Sequence, residues 1–130
     1  MQGAENPVQH KRPHPHSMAG LYLEFNLDAE IAQLHGEAAW TTGQNAKTLA
    51  KYDDFRVVLT VVRAGAHIPV HRTDGRISIQ TVRGRIQMRA EGRTFDLPLG
   101  GLLVLDRGIA HDVEAREDSA FLLTIAWPER

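Results

Sequence analysis

From Phe55 onward the chain is written in short alternating runs of apolar and polar residues, broken about every ten residues by glycine or a charged turn. The period of two predicts strands over residues 55–62, 67–71, 76–82, 85–90, 93–97, 102–105, 111–115 and 119–126. The first of these is a run rich in β-branched residues; the others alternate. Many short strands at even spacing indicate an all-β sandwich or barrel. Gly84, Gly92 and the pair Gly100-Gly101 stand where tight turns call for a positive φ.

Upstream the pattern is mixed. Residues 21–27 alternate and predict an N-terminal strand, after which Asp28 caps one short helix running from Ala29 to about Ala39, with Ile31, Leu34 and Ala38 on one face. Trp40 and the Thr41-Thr42-Gly43-Gln44-Asn45 stretch predict a turn, and Ala46 to Lys51 a further strand that Asp53-Asp54 closes. Residues 1–19 hold three of the six prolines and three of the seven histidines, which reads as a flexible arm. His14 and His16 have no scaffold to fix a metal geometry, so they are read as part of that arm. Residues 20–130 then form a single domain.

Composition narrows the function classes. A chain of 130 residues with 42% apolar residues and a net charge of −1 fits one ordinary globular core. The absence of cysteine excludes disulfides, thiolate metal sites and cysteine nucleophiles. No apolar run approaches the roughly 18 residues of a membrane span, and residues 1–16 lack the apolar core of a secretory signal, so a cytoplasmic protein is expected. A pI near 6.6 speaks against a nucleic-acid binder. Arginine outnumbers lysine twelve to three, and Arg76, Arg83, Arg85, Arg89 and Arg93 crowd the middle of the chain. On strands with one wet face, arginines lying over apolar surface are the preferred reading over an anion site.

Two glycine-framed stretches carry a more specific signal. In the first, Gly65 is followed after five residues by His71, and Gly84 closes the stretch; in the second, Gly100 is followed after five residues by Asp106, then by Gly108 and His111. This frame resembles the two motifs of the cupin superfamily and covers Phe55 to Trp127. The resemblance implies a double-stranded β-helix, the jelly-roll cupin barrel, with a ligand site in the barrel mouth and frequent dimerisation. It implies His71 and His111 as site residues. It also implies ligands at three further positions, where this chain has Thr73 in the place of a second histidine, Ile77 in the place of a glutamate and Ala115 in the place of an asparagine.

That substitution pattern leaves two readings open. In the first, the protein binds a small molecule in a pocket around His71 and His111, with Ile77, Ile79 and Met88 as apolar contacts and Leu103, Val113, Phe121 and Leu123 as further lining. In the second, His67 rescues a metal site. It lies four residues before His71, and residues at i and i+4 of a regular strand share a face, so His67, His71 and His111 would converge on iron, manganese, nickel or zinc and support dioxygenase, lyase or isomerase chemistry. Pro69 between the two histidines could break that alternation. Thr73 reads as a turn residue before Asp74-Gly75, and Asp112 as solvent-facing. A homodimer is expected in either reading, with residues 21–27 as a candidate interface.

Overall fold

The computed structural model describes residues 18–128. The arm expected over residues 1–19 lies outside the described residues, apart from Met18 and Ala19. Among the described residues nine strands follow one helix and one 3₁₀ turn: α1 (Leu27–His35), the 3₁₀ turn (Ala38–Thr42), β1 (Gln44–Lys51), β2 (Phe55–Val62), β3 (His67–His71), β4 (Arg76–Arg83), β5 (Arg85–Ala90), β6 (Arg93–Pro98), β7 (Leu102–Leu105), β8 (His111–Ala115) and β9 (Ser119–Ala126). They make two antiparallel sheets, one in the order β1-β2-β9-β4-β7 and one in the order β3-β8-β5-β6.

The inner faces of the two sheets pack on one another through Val62, Ile77, Ile79, Ile86, Met88, Leu105, Val113 and Phe121. A second cluster lies on the outer face of the larger sheet, where Ile31 and Leu34 of α1 cover Leu49, Leu59, Val61 and Ala120. This explains why β2 is mostly apolar on both faces from Val57 onward. At its C-terminal end one face looks into the barrel and the other lies under α1, so Leu59 to Val62 are all buried. Thr81 ties the sheets together: its hydroxyl donates to the Leu97 carbonyl at 3.0 Å, from β4 to β6.

The turns obey local chemistry. Between β5 and β6, Glu91 and Gly92 both have positive φ, 53° and 71°, as a two-residue hairpin of mirror-image type needs. Gly84, at φ 72°, joins β4 to β5 so tightly that a Cβ there would stand 2.4 Å from the Asp118 carbonyl oxygen.

The N-terminal region departs from the expectation. Residues 21–26 form no strand, and Leu21 and Tyr22 are 99% and 85% exposed. The alternation is present, but among the described residues no strand pairs with it; the residues just before it are held by the Lys51 amide donating to the Met18 carbonyl and by Tyr52 bonding Gly20. The helix begins at Leu27 because Asn26, not Asp28, is its cap, with Oδ1 accepting from the Ala29 amide at 3.0 Å. It ends at His35, where the amide of Gly36 closes it, and Trp40 belongs to the 3₁₀ turn. Among the described residues no helix is long and apolar enough to cross a membrane.

Candidate functional site

β3 and β8 are neighbours in the smaller sheet, and His71 and His111 are register partners across them. Their rings meet nearly edge to face, with centroids 4.4 Å apart and an interplanar angle of 61°. Each ring is pinned through Nδ1 to a carbonyl two residues earlier, His71 to Pro69 at 3.2 Å and His111 to Ile109 at 2.9 Å. His111 is only 3% exposed. Burial pushes its pKa below the ordinary 6.5; the Ile109 bond opposes this, and neighbouring His71 adds to it.

Both rings face a cavity of about 400 Å³ between the sheets. Ile68, Ile79, Val113, Phe121 and Leu123 form its apolar wall. Gln44, Asn45 and Ala46 of β1 and Thr60 of β2 complete it. No lysine, arginine, aspartate or glutamate is among the lining residues.

The residues singled out in the sequence therefore separate. His71, His111 and Ile79 lie on the cavity wall, with Val113, Phe121 and Leu123. Ile77 and Met88 do not line it: both are packed in the core between the sheets. Leu103 also packs against that core rather than the cavity.

His67 is turned away from the other two histidines, and the physical reason is a bulge. On β3 three steps separate Ile68 from His71, whereas their partners Val113 and His111 on β8 are two steps apart, so Pro69 and Val70 disrupt the ladder. The extra residue inverts the alternation. Ile68 and His71 look into the cavity, while His67 lies on the outer face, its Nε2 2.8 Å from Asp112 Oδ2.

Asp112 itself is buried, at 7% exposure, which corrects the expectation of a solvent-facing carboxylate. It does point away from the cavity, but His67 and Arg89 cover it, the latter donating from 3.1 Å. Burial works to raise its pKa; the bonds from His67 and Arg89 outweigh that and hold it below 3.8.

These positions decide the metal question on donor chemistry. A resident catalytic metal needs about three protein ligands. The cavity offers two imidazoles; the glutamate place holds buried Ile77, and Thr73 sits in a turn, its hydroxyl accepting from the Gly75 amide at 3.3 Å. Among the described residues no group of three or more histidine, aspartate or glutamate side chains is arranged to hold a metal ion. The His67, His71 and His111 triad is thus not assembled, and the residues present do not fit such a centre.

Thr60 and residues 44–46 were not anticipated. Thr60 could have been found by parity with Val62, but β2 is mostly apolar on both faces, which hides the one that looks inward. Nothing in the sequence marks Gln44 to Ala46, because β1 precedes the motif frame. The arginines behave as surface residues: Arg76 pairs with Asp106 at 3.0 Å, Arg83 with Asp28 at 2.5 Å, Arg85 with Asp96 and Arg89 with Asp112, while Arg93 lies over the Phe95 ring.

No protein-family model and no curated protein matches the sequence. Solved structures do. A cupin superfamily protein of Desulfitobacterium hafniense is similar with a TM-score of 0.63 at 14% identity, over 65% of this chain and 77% of that one. KdgF of Halomonas sp. is similar with a TM-score of 0.61 at 25% identity, over 68% and 82%. The salicylate 1,2-dioxygenase of Pseudoaminobacter salicylatoxidans, solved as adducts with gentisate, is similar with a TM-score of 0.69 at 14% identity; 78% of this chain matches 32% of that larger one. With its two antiparallel sheets closed over a cavity that holds His71 and His111, the chain has the cupin fold.

Proposed function

We propose that the protein binds a small molecule in the cavity around His71 and His111 and that binding, rather than metal-dependent turnover, is its function. The observation that carries this reading is the pair of imidazoles fixed by backbone carbonyls at one side of an otherwise largely apolar chamber of about 400 Å³. A chamber of that size with a few oriented polar groups is the usual form of a small-molecule site. The dioxygenase, lyase or isomerase alternative depended on His67, whose ring is engaged with Asp112 on the other face of the sheet.

The test is a thermal-shift screen of a small-molecule library, followed by calorimetry of the hits on the wild type and on His71→Ala. Hits that bind the wild type and lose about tenfold or more in affinity in the variant support the reading, since a good hydrogen bond is worth about a factor of ten. Hits that bind both proteins equally place the ligand elsewhere.

The protein is further read as a cytoplasmic homodimer that engages neither nucleic acid nor membrane. Fully exposed Leu21 and Tyr22, together with exposed Leu102 and Val104 on edge strand β7, support self-association. Among the described residues Arg76, Arg83, Arg85 and Arg89 are each paired with a carboxylate, which supports a protein that does not engage nucleic acid. Sedimentation at a single mass of 14.5 kDa would sink the dimer.

A further inference from the structure

A carbonyl oxygen can only accept, so the contacts to Pro69 and Ile109 put the proton of each neutral imidazole on Nδ1. Nε2 of each ring then carries a lone pair. Among the described residues neither Nε2 has a donor. The two acceptors stand on neighbouring rings, with centroids 4.4 Å apart, His111 buried and His71 exposed at the cavity wall, so a ligand with two donors can engage both.

The cavity wall does not supply that donor from Asn45, whose amide is already spent: Nδ2 donates to the Leu34 carbonyl and to Glu37, and Oδ1 accepts from the Ala46 amide. Thr60 is different. It is 8% exposed and lines the cavity from the facing sheet, and among the described residues its hydroxyl has no hydrogen-bond partner.

We infer that the cavity selects a neutral molecule carrying two adjacent hydroxyl groups on an apolar ring, the hydroxyls donating to Nε2 of His71 and of His111 and Thr60 Oγ1 bonding a further polar atom of the same ligand. This rests on the reading that the cavity is the ligand site. A carboxylate ligand meets two acceptors and no cation there. A primary ammonium could donate, but among the described residues no carboxylate lines the cavity to offset its lost hydration. The hydroxyl pair satisfies both nitrogens without moving a charge, and Phe121, Ile79 and Leu123 cover the ring.

Calorimetry with four probes built on one ring separates these cases: cis-1,2-cyclohexanediol, its dimethyl ether, cyclohexanecarboxylate and cyclohexylammonium, each at about pH 7.5, above the ordinary imidazole range. The diol is expected to bind at least about tenfold more tightly than the ether and than either ion. Lowering the pH should weaken the diol, because an imidazolium cannot accept, and strengthen the carboxylate. The titratable groups in reach are the two rings themselves and Asp112 behind His111; the cavity-facing residues of β1, β2, β4 and β9 are uncharged. Thr60→Val, which keeps the shape, should cost the diol about two- to tenfold.

Equal or tighter binding of the ether or of an ion would overturn the ligand class while leaving the cavity as the site. An unchanged diol affinity in Thr60→Val would remove Thr60 from the inference. If no probe binds, or if the diol binds undiminished to both His71→Ala and the more conservative His111→Gln, the cavity reading falls as well.

Discussion

His71 and His111 face each other as register partners on β3 and β8, and each gives its Nδ1 to a carbonyl two residues before it in the chain. The symmetry has a consequence that does not depend on any ligand. Both rings must be the Nδ1–H tautomer when neutral, leaving a lone pair on Nε2 of each. Long-range proton–nitrogen correlation spectra above the imidazole titration range should show Nδ1 protonated and Nε2 bare in both residues. A protonated Nε2 in either ring would break the arrangement on which the cavity chemistry is built.

The same burial sets a pH dependence of stability. The pKa of His111 lies below the ordinary 6.5, so between those values the unfolded chain binds a proton that the folded protein refuses. The contribution of neutral His111 is therefore complete above 6.5 and is lost as pH falls through the folded value. Asp96, Asp106 and Asp112 are also lowered, but from 3.8, so their losses begin in a more acidic window. Melting temperatures taken from neutral pH down to about 4.5 should fall more steeply for the wild type than for His111→Gln. Parallel curves would show that His111 is not the group responsible.

His67 belongs to a different network from the other two histidines. It stands 2.8 Å from Asp112 on the outer face, and Arg89 bonds the same carboxylate oxygen. His67→Ala should therefore leave the affinity of any cavity ligand within about twofold of the wild type, while destabilising the protein by about 1 kcal/mol through loss of a bond to a buried carboxylate. Ligand titration and chemical denaturation of the one variant read both effects. A large loss of ligand affinity would return His67 to the site.

The split between these histidines shows what a single sequence can and cannot express. Strand positions from β2 to β9 were readable because a period of two and its glycine punctuation are local properties. The same parity put Ile77 and Ile79 on one face, and the cupin resemblance turned that face inward, where Ile79 lines the cavity. The face of His67 did not, because a bulge is a relation between two strands, and only the pairing of Ile68 with Val113 and His71 with His111 reveals the extra residue. Residues 21–26 fail in the opposite sense: the local pattern suits a strand, but a strand needs a neighbour, and among the described residues none pairs with it. Thr60 was hidden because α1 buries the far face of β2, which erases the alternation that would have marked its direction.

Gly84 and Gly92 offer a controlled comparison of two costs that are usually entangled. Their φ angles are nearly equal, 72° and 71°, so an alanine at either site carries the same left-handed backbone strain of about 1–2 kcal/mol. Their surroundings differ. A Cβ at Gly92 would meet nothing within 4 Å, whereas one at Gly84 would lie 2.4 Å from both the Asp118 carbonyl oxygen and Ser119 Oγ, and 2.9 Å from Ser119 Cα. Two of those three neighbours are backbone atoms and cannot rotate aside. The Ser119 hydroxyl is also held in place, accepting from the Arg85 amide at 2.9 Å and donating toward the Glu117 carbonyl at 2.7 Å. Gly92→Ala should thus cost about 1–2 kcal/mol in denaturant unfolding, and Gly84→Ala at least about 2 kcal/mol more, because the β4–β5 connection must shift away from β9. Equal losses in the two variants would mean that the turn at Gly84 yields freely, and that its close approach to Asp118 and Ser119 is not what the glycine is there to permit.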